Sequence, residues 1–328
     1  MSMGKVVCIG FLSLFALIGG AGLIKKNKEH KKQLSFEKKG AIEEVCSIST
    51  VFDEQKEEKE ALKPVQDAVS EEEVDQIWRL FTKGKQKLPI VETIRYKPHV
   101  SWCEGRPAWV SDYASYYSTS RHFIARSLNG KRDYDTQKVS LGDQFNVLKK
   151  ELSFYLVLDL SRCKMWLYAI DELSREKYLL KTYQVGVGRF DERTDSGVLT
   201  PKGTFILGNK VAIYKPGVEG YFQENVIEMV RVFGTRWIPF VEMNEEGDSG
   251  KGYGLHGAPW IYDVETQTYR EDLSTIGGYS SDGCIRLMQK DMEELFSIVI
   301  TKPTILQIVS DFHEATISIE LSKEVKGK

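Results

Sequence analysis

From residue 152 onward the sequence is a succession of short strand-like runs separated by turn residues, and this texture limits what the chain can fold into. In "LSFYLVLDLSRCKMWLYAI", Leu156 and Leu158 alternate with Val157 and Asp159. A turn is expected at Ser161–Arg162, after which Met165, Leu167 and Ala169 resume the alternation. "KYLLKTYQVGVG" reads as a further strand, and "TPKGTFILGNKVAIY" as one entered through Pro-Lys-Gly turn chemistry. "RWIPFVEMN", "GYGLHGAPW" and "PTILQIVS" continue the series. "MQKDMEELFSIVI" is the one good helix, with Met292, Leu295, Phe296 and Val299 on one face. The expectation is a mainly β domain over residues 152–310, followed by an uninformative tail at 311–328.

The preceding half divides differently. Val6 to Ile24 carries no charge, and about twenty apolar residues span a bilayer. Residues 1–24 therefore read as a signal anchor or signal peptide, with Lys5 as a minimal positive flank and Gly20–Gly22 as small residues suited to cleavage. Lys25, Lys26, Lys28, Lys31 and Lys32 pull the other way, because positive charge tends to stay on the cytoplasmic side. Residues 25–69 are rich in Lys and Glu and read as a solvated linker. In 70–94, Ser70 with Glu73 forms a capping-box pattern, and Val74, Ile77, Trp78 and Phe81 recur at helical spacing up to Gly84. Residues 95–150 read as a small α+β module, with a helix in "DYASYYSTSRHFIARSLNG" and an exposed strand in "VSLGDQFNVLKK".

Composition excludes some functions. The net charge of −2 gives no basic field for nucleic acid, and no nucleic-acid motif is present. Five scattered cysteines without a CxxC pair fit neither a disulfide framework nor a zinc knuckle. "QVGVGRF" holds a lone GxG with no helix after it, which is a strand bend rather than a nucleotide loop.

One cysteine stands apart. In "YSSDGCIRL", Cys284 follows a glycine and precedes a helix. A thiol attacks carbonyls as thiolate, and its ordinary pKa near ~8.5 means that it needs a base or positive surroundings. His256, in "YGLHGAPW" at a strand end, is the obvious base. The N–H groups of Gly283 and Cys284 are natural oxyanion donors, worth about 3–4 kcal/mol when preorganised. These features suggest acyl transfer by a Cys–His pair.

"HGAPW" followed at a distance by "SSDGCIRL" resembles the L,D-transpeptidase (YkuD-type) catalytic domain. The meander "YLVLDLSRCKMWLYAIDELSREKYLLKTYQVGVGR" and the turn in "TDSGVLTPKGTFIL" resemble its opening strands, and "RWIPF" and "GYGLHGAPW" the strands flanking its pocket. The resemblance implies a β-sandwich or meander with one main helix. It places the nucleophile at Cys284, the general base and acid at His256, a carbonyl orienting that histidine at Gly257, and the oxyanion loop at Gly283–Cys284. Arg286, Asp282, Ser281, Trp260 and Trp237 are the implied substrate-binding candidates, Arg286 by a forked contact to a carboxylate. The implied substrates are peptidoglycan stem peptides, attacked through a thioester without metal or organic cofactor. Hydrolysis of that thioester would make the chain an L,D-carboxypeptidase or other cysteine amidase, and a decayed site would leave a wall-binding scaffold. The implied placement is membrane-anchored or exported, facing the periplasm or cell wall.

Two departures accompany the resemblance. The stretch between His256 and Cys284 is long, and its excess "IYDVETQTYREDLST" reads as a lid or loop insertion. Asp282 stands where the family has histidine. A carboxylate there raises the thiol pKa, and a turn-capping role is its bland explanation. Upstream, "IARSLN" followed by "VSLGDQFNVL" faintly resembles a LysM module, a glycan-binding βααβ unit, which makes glycan strands a further candidate partner.

Overall fold

The computed structural model describes residues 73–129, 138–242 and 252–317. The expected membrane segment (1–24), the linker (25–69) and Ser70 of the capping box lie outside the described residues. Among the described residues, no helix is long and apolar enough to cross a membrane.

The helix expected over 70–84 is a single turn, α1 (Trp78–Phe81). Residues before it run as an added edge: Gln76 N–H donates to Leu180 C=O, and Thr182 N–H to Val74 C=O. Unpaired strand groups demand partners, and that demand overrides a short helical pattern. Ile77 and Leu80 are buried while Trp78 is half exposed, so the buried face is not the one the spacing suggests.

The small module is β1 (Val91–Arg95), α2 (Val110–Tyr116), α3 (Arg121–Asn129) and β2 (Gln144–Leu148). β1 and β2 pair antiparallel from Val91↔Leu148 to Arg95↔Gln144, giving a βααβ unit that starts slightly before residue 95. The single expected helix is two, broken at Thr119–Ser120, where Ser120 Oγ accepts from Phe123 N–H. β2 is buried rather than exposed, because it faces α3 on one side and carries the Asn146 amide to Leu80 C=O and Thr82 C=O on the other.

The larger part begins with the hairpin β3 (Leu152–Asp159) and β4 (Lys164–Asp171), in full register from Leu152↔Asp171 to Asp159↔Lys164. All eight β3 residues are buried. Leu152, Phe154, Leu156 and Leu158 enter the main core, and Tyr155 and Val157 enter a second cluster with Ile305 and Val309. There follow β5 (Lys177–Gly188), β6 (Gly203–Leu207), β7 (Ala212–Ile213), a hairpin β8 (Glu219–Phe222) and β9 (Asn225–Glu228), the short α4 (Val230–Phe233), and β10 (Arg236–Glu242). Then come β11 (Gly254–Gly257), a hairpin β12 (Trp260–Asp263) and β13 (Thr268–Glu271), β14 (Tyr279–Ser281), β15 (Ile285–Leu287), α5 (Gln289–Val299) and β16 (Thr304–Val309).

Two strands join this series into one continuous circuit. β5 pairs β4 through residues 177–184 and β15 through Val185 and Gly186. β10 pairs β6 through residues 240–242 and β11 through residues 237–239. Each therefore bridges two sets of strands, and the order β11-β15-β5-β4-β3-β16-β6-β10 returns to β11, which leaves few open edges. Helix α5 contacts β10 and β11 and contributes Met292, Leu295, Phe296 and Val299 to the core. Two of its carboxylates are paired: Lys181 Nζ meets Asp291 at 2.9 Å and Glu294 at 2.7 Å.

Candidate active site

Cys284 occupies a turn wedged against β5. Before it, β14 runs parallel to β5 (Tyr279↔Val187); after it, β15 runs antiparallel to β5 (Arg286↔Gly186). The reversal takes Gly283 to φ +115°, a region side chains avoid. A Cβ there would sit 2.4 Å from Tyr253 Cε1 and 2.9 Å from Leu199 O. Glycine is thus required by close packing as well as by the backbone angle.

The turn is held by hydroxyls. Ser281 Oγ donates to Cys284 C=O (2.6 Å) and accepts from Gly283 N–H (3.1 Å). Thr200 Oγ1 donates to Gly283 C=O (3.0 Å) and accepts from Gly188 N–H (2.8 Å). Thr200 is fully buried, and a Cβ on Gly188 would meet its backbone N at 2.5 Å. Two of the expected site residues are engaged within the turn itself. The Ser281 hydroxyl closes it. The Gly283 N–H is already engaged, so of the expected oxyanion pair only the Cys284 N–H is not committed to Ser281.

β11 brings His256 beside this turn. β11 and β15 are parallel neighbours with Leu255↔Ile285, His256↔Arg286 and Gly257↔Leu287. Residues two apart on a strand share a face. The Cys284 thiol donates to Gly252 C=O at 3.7 Å, and its sulfur lies within reach of Gly254 N–H, two positions before His256. Cys284, His256 and Arg286 therefore gather on one face of the β11–β15 pair, and the long connection between them leaves as the β12–β13 hairpin without separating its ends.

The imidazole is oriented and dry. Its Nδ1 lies 2.7 Å from Gly257 C=O, the geometry of a donated N–H, which leaves Nε2 as the free lone pair. Trp237 stacks on the ring at 5.9 Å and 27°, and Phe233 meets it edge-on at 5.4 Å. Burial drives its pKa down to about 3; the Gly257 contact opposes this and the Arg286 charge adds to it. Burial pushes the Cys284 thiol up, against the Gly254 hydrogen bond and the Arg286 charge, with Asp282 adding to the rise. At neutral pH the resting pair is thus a thiol and a neutral imidazole.

Arg286 is half buried. Its Nη1 donates to Ser280 Oγ at 3.1 Å, and its Nε is buried without a hydrogen-bond partner. Burial lowers its pKa, so an anion brought to it would be welcome. Among the described residues the Asp282 carboxylate pairs with Arg189, just past the end of β5, both side chains being largely exposed. Trp260 has Tyr269, across the hairpin, as its ring neighbour. Sequence reasoning missed Thr200, Phe233, Tyr253 and Arg189. Thr200 lies inside "TPKGTF", which was legible as a turn but not as a brace for a loop more than eighty residues away.

Residues 153–308 match the YkuD family, described as the L,D-transpeptidase catalytic domain. Among solved structures, the chain is similar to the helical cell shape determining protein Pgp2 of Campylobacter jejuni, at 16% identity over 52% of each chain and a TM-score of 0.35. It is similar also to L,D-transpeptidase 1 of Mycobacterium tuberculosis, at 10% identity over 51% of this chain and 70% of that one, with a TM-score of 0.25. The chain thus spans about half the length of the Campylobacter protein. No curated protein matches it.

Proposed function

We propose, taking residues 153–308 as an L,D-transpeptidase catalytic domain, that the protein is an acyltransferase acting on peptidoglycan stem peptides through a thioester on Cys284. The observation that carries this reading is the sulfur held against Gly254 on the same strand face as an imidazole whose Nδ1 is fixed by Gly257.

The resting groups set the order of events. With the thiol pKa raised and the imidazole pKa low, a standing thiolate–imidazolium pair is disfavoured. The proton therefore leaves Sγ for Nε2 as the sulfur attacks the carbonyl before the terminal residue, when the new charge settles on the carbonyl oxygen. The Cys284 N–H faces that oxygen. If the Ser281 hydroxyl rotates away, the Gly283 N–H joins it. His256 then protonates the leaving amine, and the thioester remains. An amine from a second stem, water, or a protein lysine resolves it. Arg286 holds a carboxylate of the stem through the donors that now lack one.

The upstream βααβ unit suits a role in holding glycan strands near the site. A groove of about 500 Å³ is lined by Tyr96, Trp109, Arg121 and Lys138, with the Trp109 indole largely exposed. Anchoring through residues 1–24 would place both parts at the wall. Incubation of the chain with defined tetrapeptide muropeptides, read by mass spectrometry, tests the reading. A cross-linked dimer or a trimmed tripeptide supports it, and unchanged substrate with bound muropeptide would favour a scaffold.

A further inference from the structure

We propose that Asp282 selects a protonated amine as the acyl acceptor; this deepens the function proposed above and rests on it. Cys284 lies between unlike charges. On the inner side, Arg286 has a buried, unpartnered Nε and no carboxylate bonded to it among the described residues. On the outer side stands Asp282, two residues before the nucleophile, so the two Cα atoms are at most about 7 Å apart. Among the described residues its carboxylate pairs only with the Arg189 guanidinium, and the side chains are 67% and 62% exposed.

The turn does not need this carboxylate. Its hydrogen bonds are made by the Ser281 and Thr200 hydroxyls. For the thiol the charge is a disadvantage, because it raises the pKa that must fall for attack. A negative group beside a nucleophile, exposed and not used by the turn, is placed to meet something positive that comes to it. Arg189 marks the place. Its backbone is fixed, N–H to Ser281 C=O and C=O to Leu199 N–H at 2.9 Å each, so only the solvated guanidinium has to swing aside. Exposed ion pairs contribute little, and an arriving ammonium replaces this one easily.

The step balances. The acceptor docks as ammonium against Asp282 and loses one proton to solvent. The amine attacks the thioester carbonyl and the C–N bond forms, while a second N–H proton passes to Nε2 of His256. The C–S bond breaks, and His256 returns that proton to sulfur. Water lacks the charge and gains nothing from Asp282.

The test uses the full chain, a tetrapeptide stem as donor, and three acceptors: a stem bearing a side-chain ammonium, methoxyamine (neutral at pH 7), and water. Acylation is timed separately by intact mass. For Asp282→Asn the ratio of ammonium aminolysis to hydrolysis falls about three-fold, the size of one exposed ion pair, while the methoxyamine ratio holds and acylation speeds up. Arg189→Gln raises the ammonium ratio. Acylation and both aminolysis ratios falling together would mark a structural role and overturn the inference, as would an ammonium ratio unchanged in Asp282→Asn. Absence of any acyl-enzyme in the wild type would overturn the proposed function and this inference with it. An acyl-enzyme whose partition ignores position 282 would overturn only the latter.

Discussion

Replacing His256 by Gln should flatten the acid side of the stability curve. The folded imidazole has its pKa at about 3, because burial between Trp237 and Phe233 excludes the water that would solvate its charge. The unfolded imidazole titrates near ~6.5. A folded pKa below the unfolded one means that the unfolded chain binds the extra proton first. The stabilising difference is complete above about 6.5 and is lost as pH falls toward about 3. At pH 5, about 1.5 pH units below the unfolded value at about 1.36 kcal/mol each, the wild type has lost about 2 kcal/mol from this group. At pH 7.5 it has lost almost nothing. Urea unfolding of wild type and His256→Gln at both pH values gives the double difference, in which carboxylates common to both chains cancel. The expected value is about 2 kcal/mol, with the wild type the more pH-sensitive. Parallel pH dependences within about 0.5 kcal/mol would refute the reasoning, because they would mean that the ring charges freely when folded.

Gly283→Ala should cost about 2–4 kcal/mol, from the positive φ and from the Tyr253 ring and Leu199 carbonyl that a methyl would strike, and should slow acylation at least about 100-fold; urea midpoints and intact-mass time courses check it. Thr200→Val keeps the shape but strips the Gly188 N–H of its acceptor and the Gly283 C=O of its donor, which predicts a loss of about 1–3 kcal/mol by urea unfolding. Arg286→Gln should raise KM for a donor carrying a free carboxylate at least about ten-fold and leave a donor amidated at that position nearly unaffected, as steady-state kinetics with the two peptides would show.

The parts of this fold that were legible are those where a local pattern has one reading. The alternation around Leu156 and Leu158, the turn at Ser161–Arg162 and the helical face of Met292, Leu295, Phe296 and Val299 all recur in the structure. Position 157 shows where pattern alone stops. Val157 is apolar because β3 is covered on both faces, which a period of two does not reveal. Val74 to Ile77 fit helical spacing, yet the chain spends 74–76 along β5, since a four-residue pattern is too short to outweigh unpaired strand groups. The site divides in the same way. Cys284 and His256 carry chemistry in their residue types, so a turn and a strand end sufficed to single them out. What surrounds them is long-range: Thr200 reaches Gly283, Phe233 reaches His256 and Arg189 reaches Asp282, and no spacing along the chain encodes those meetings.

The account stands on Cys284 as the atom that receives the acyl group. The direct measurement is intact-mass spectrometry of the full chain after exposure to a stem tetrapeptide or a carbapenem-type β-lactam, followed by peptide mapping. One adduct on Cys284, lost in Cys284→Ala and strongly slowed in His256→Gln, is the predicted result. An adduct on Cys103 or Cys163 instead, or one that survives Cys284→Ala, would contradict it.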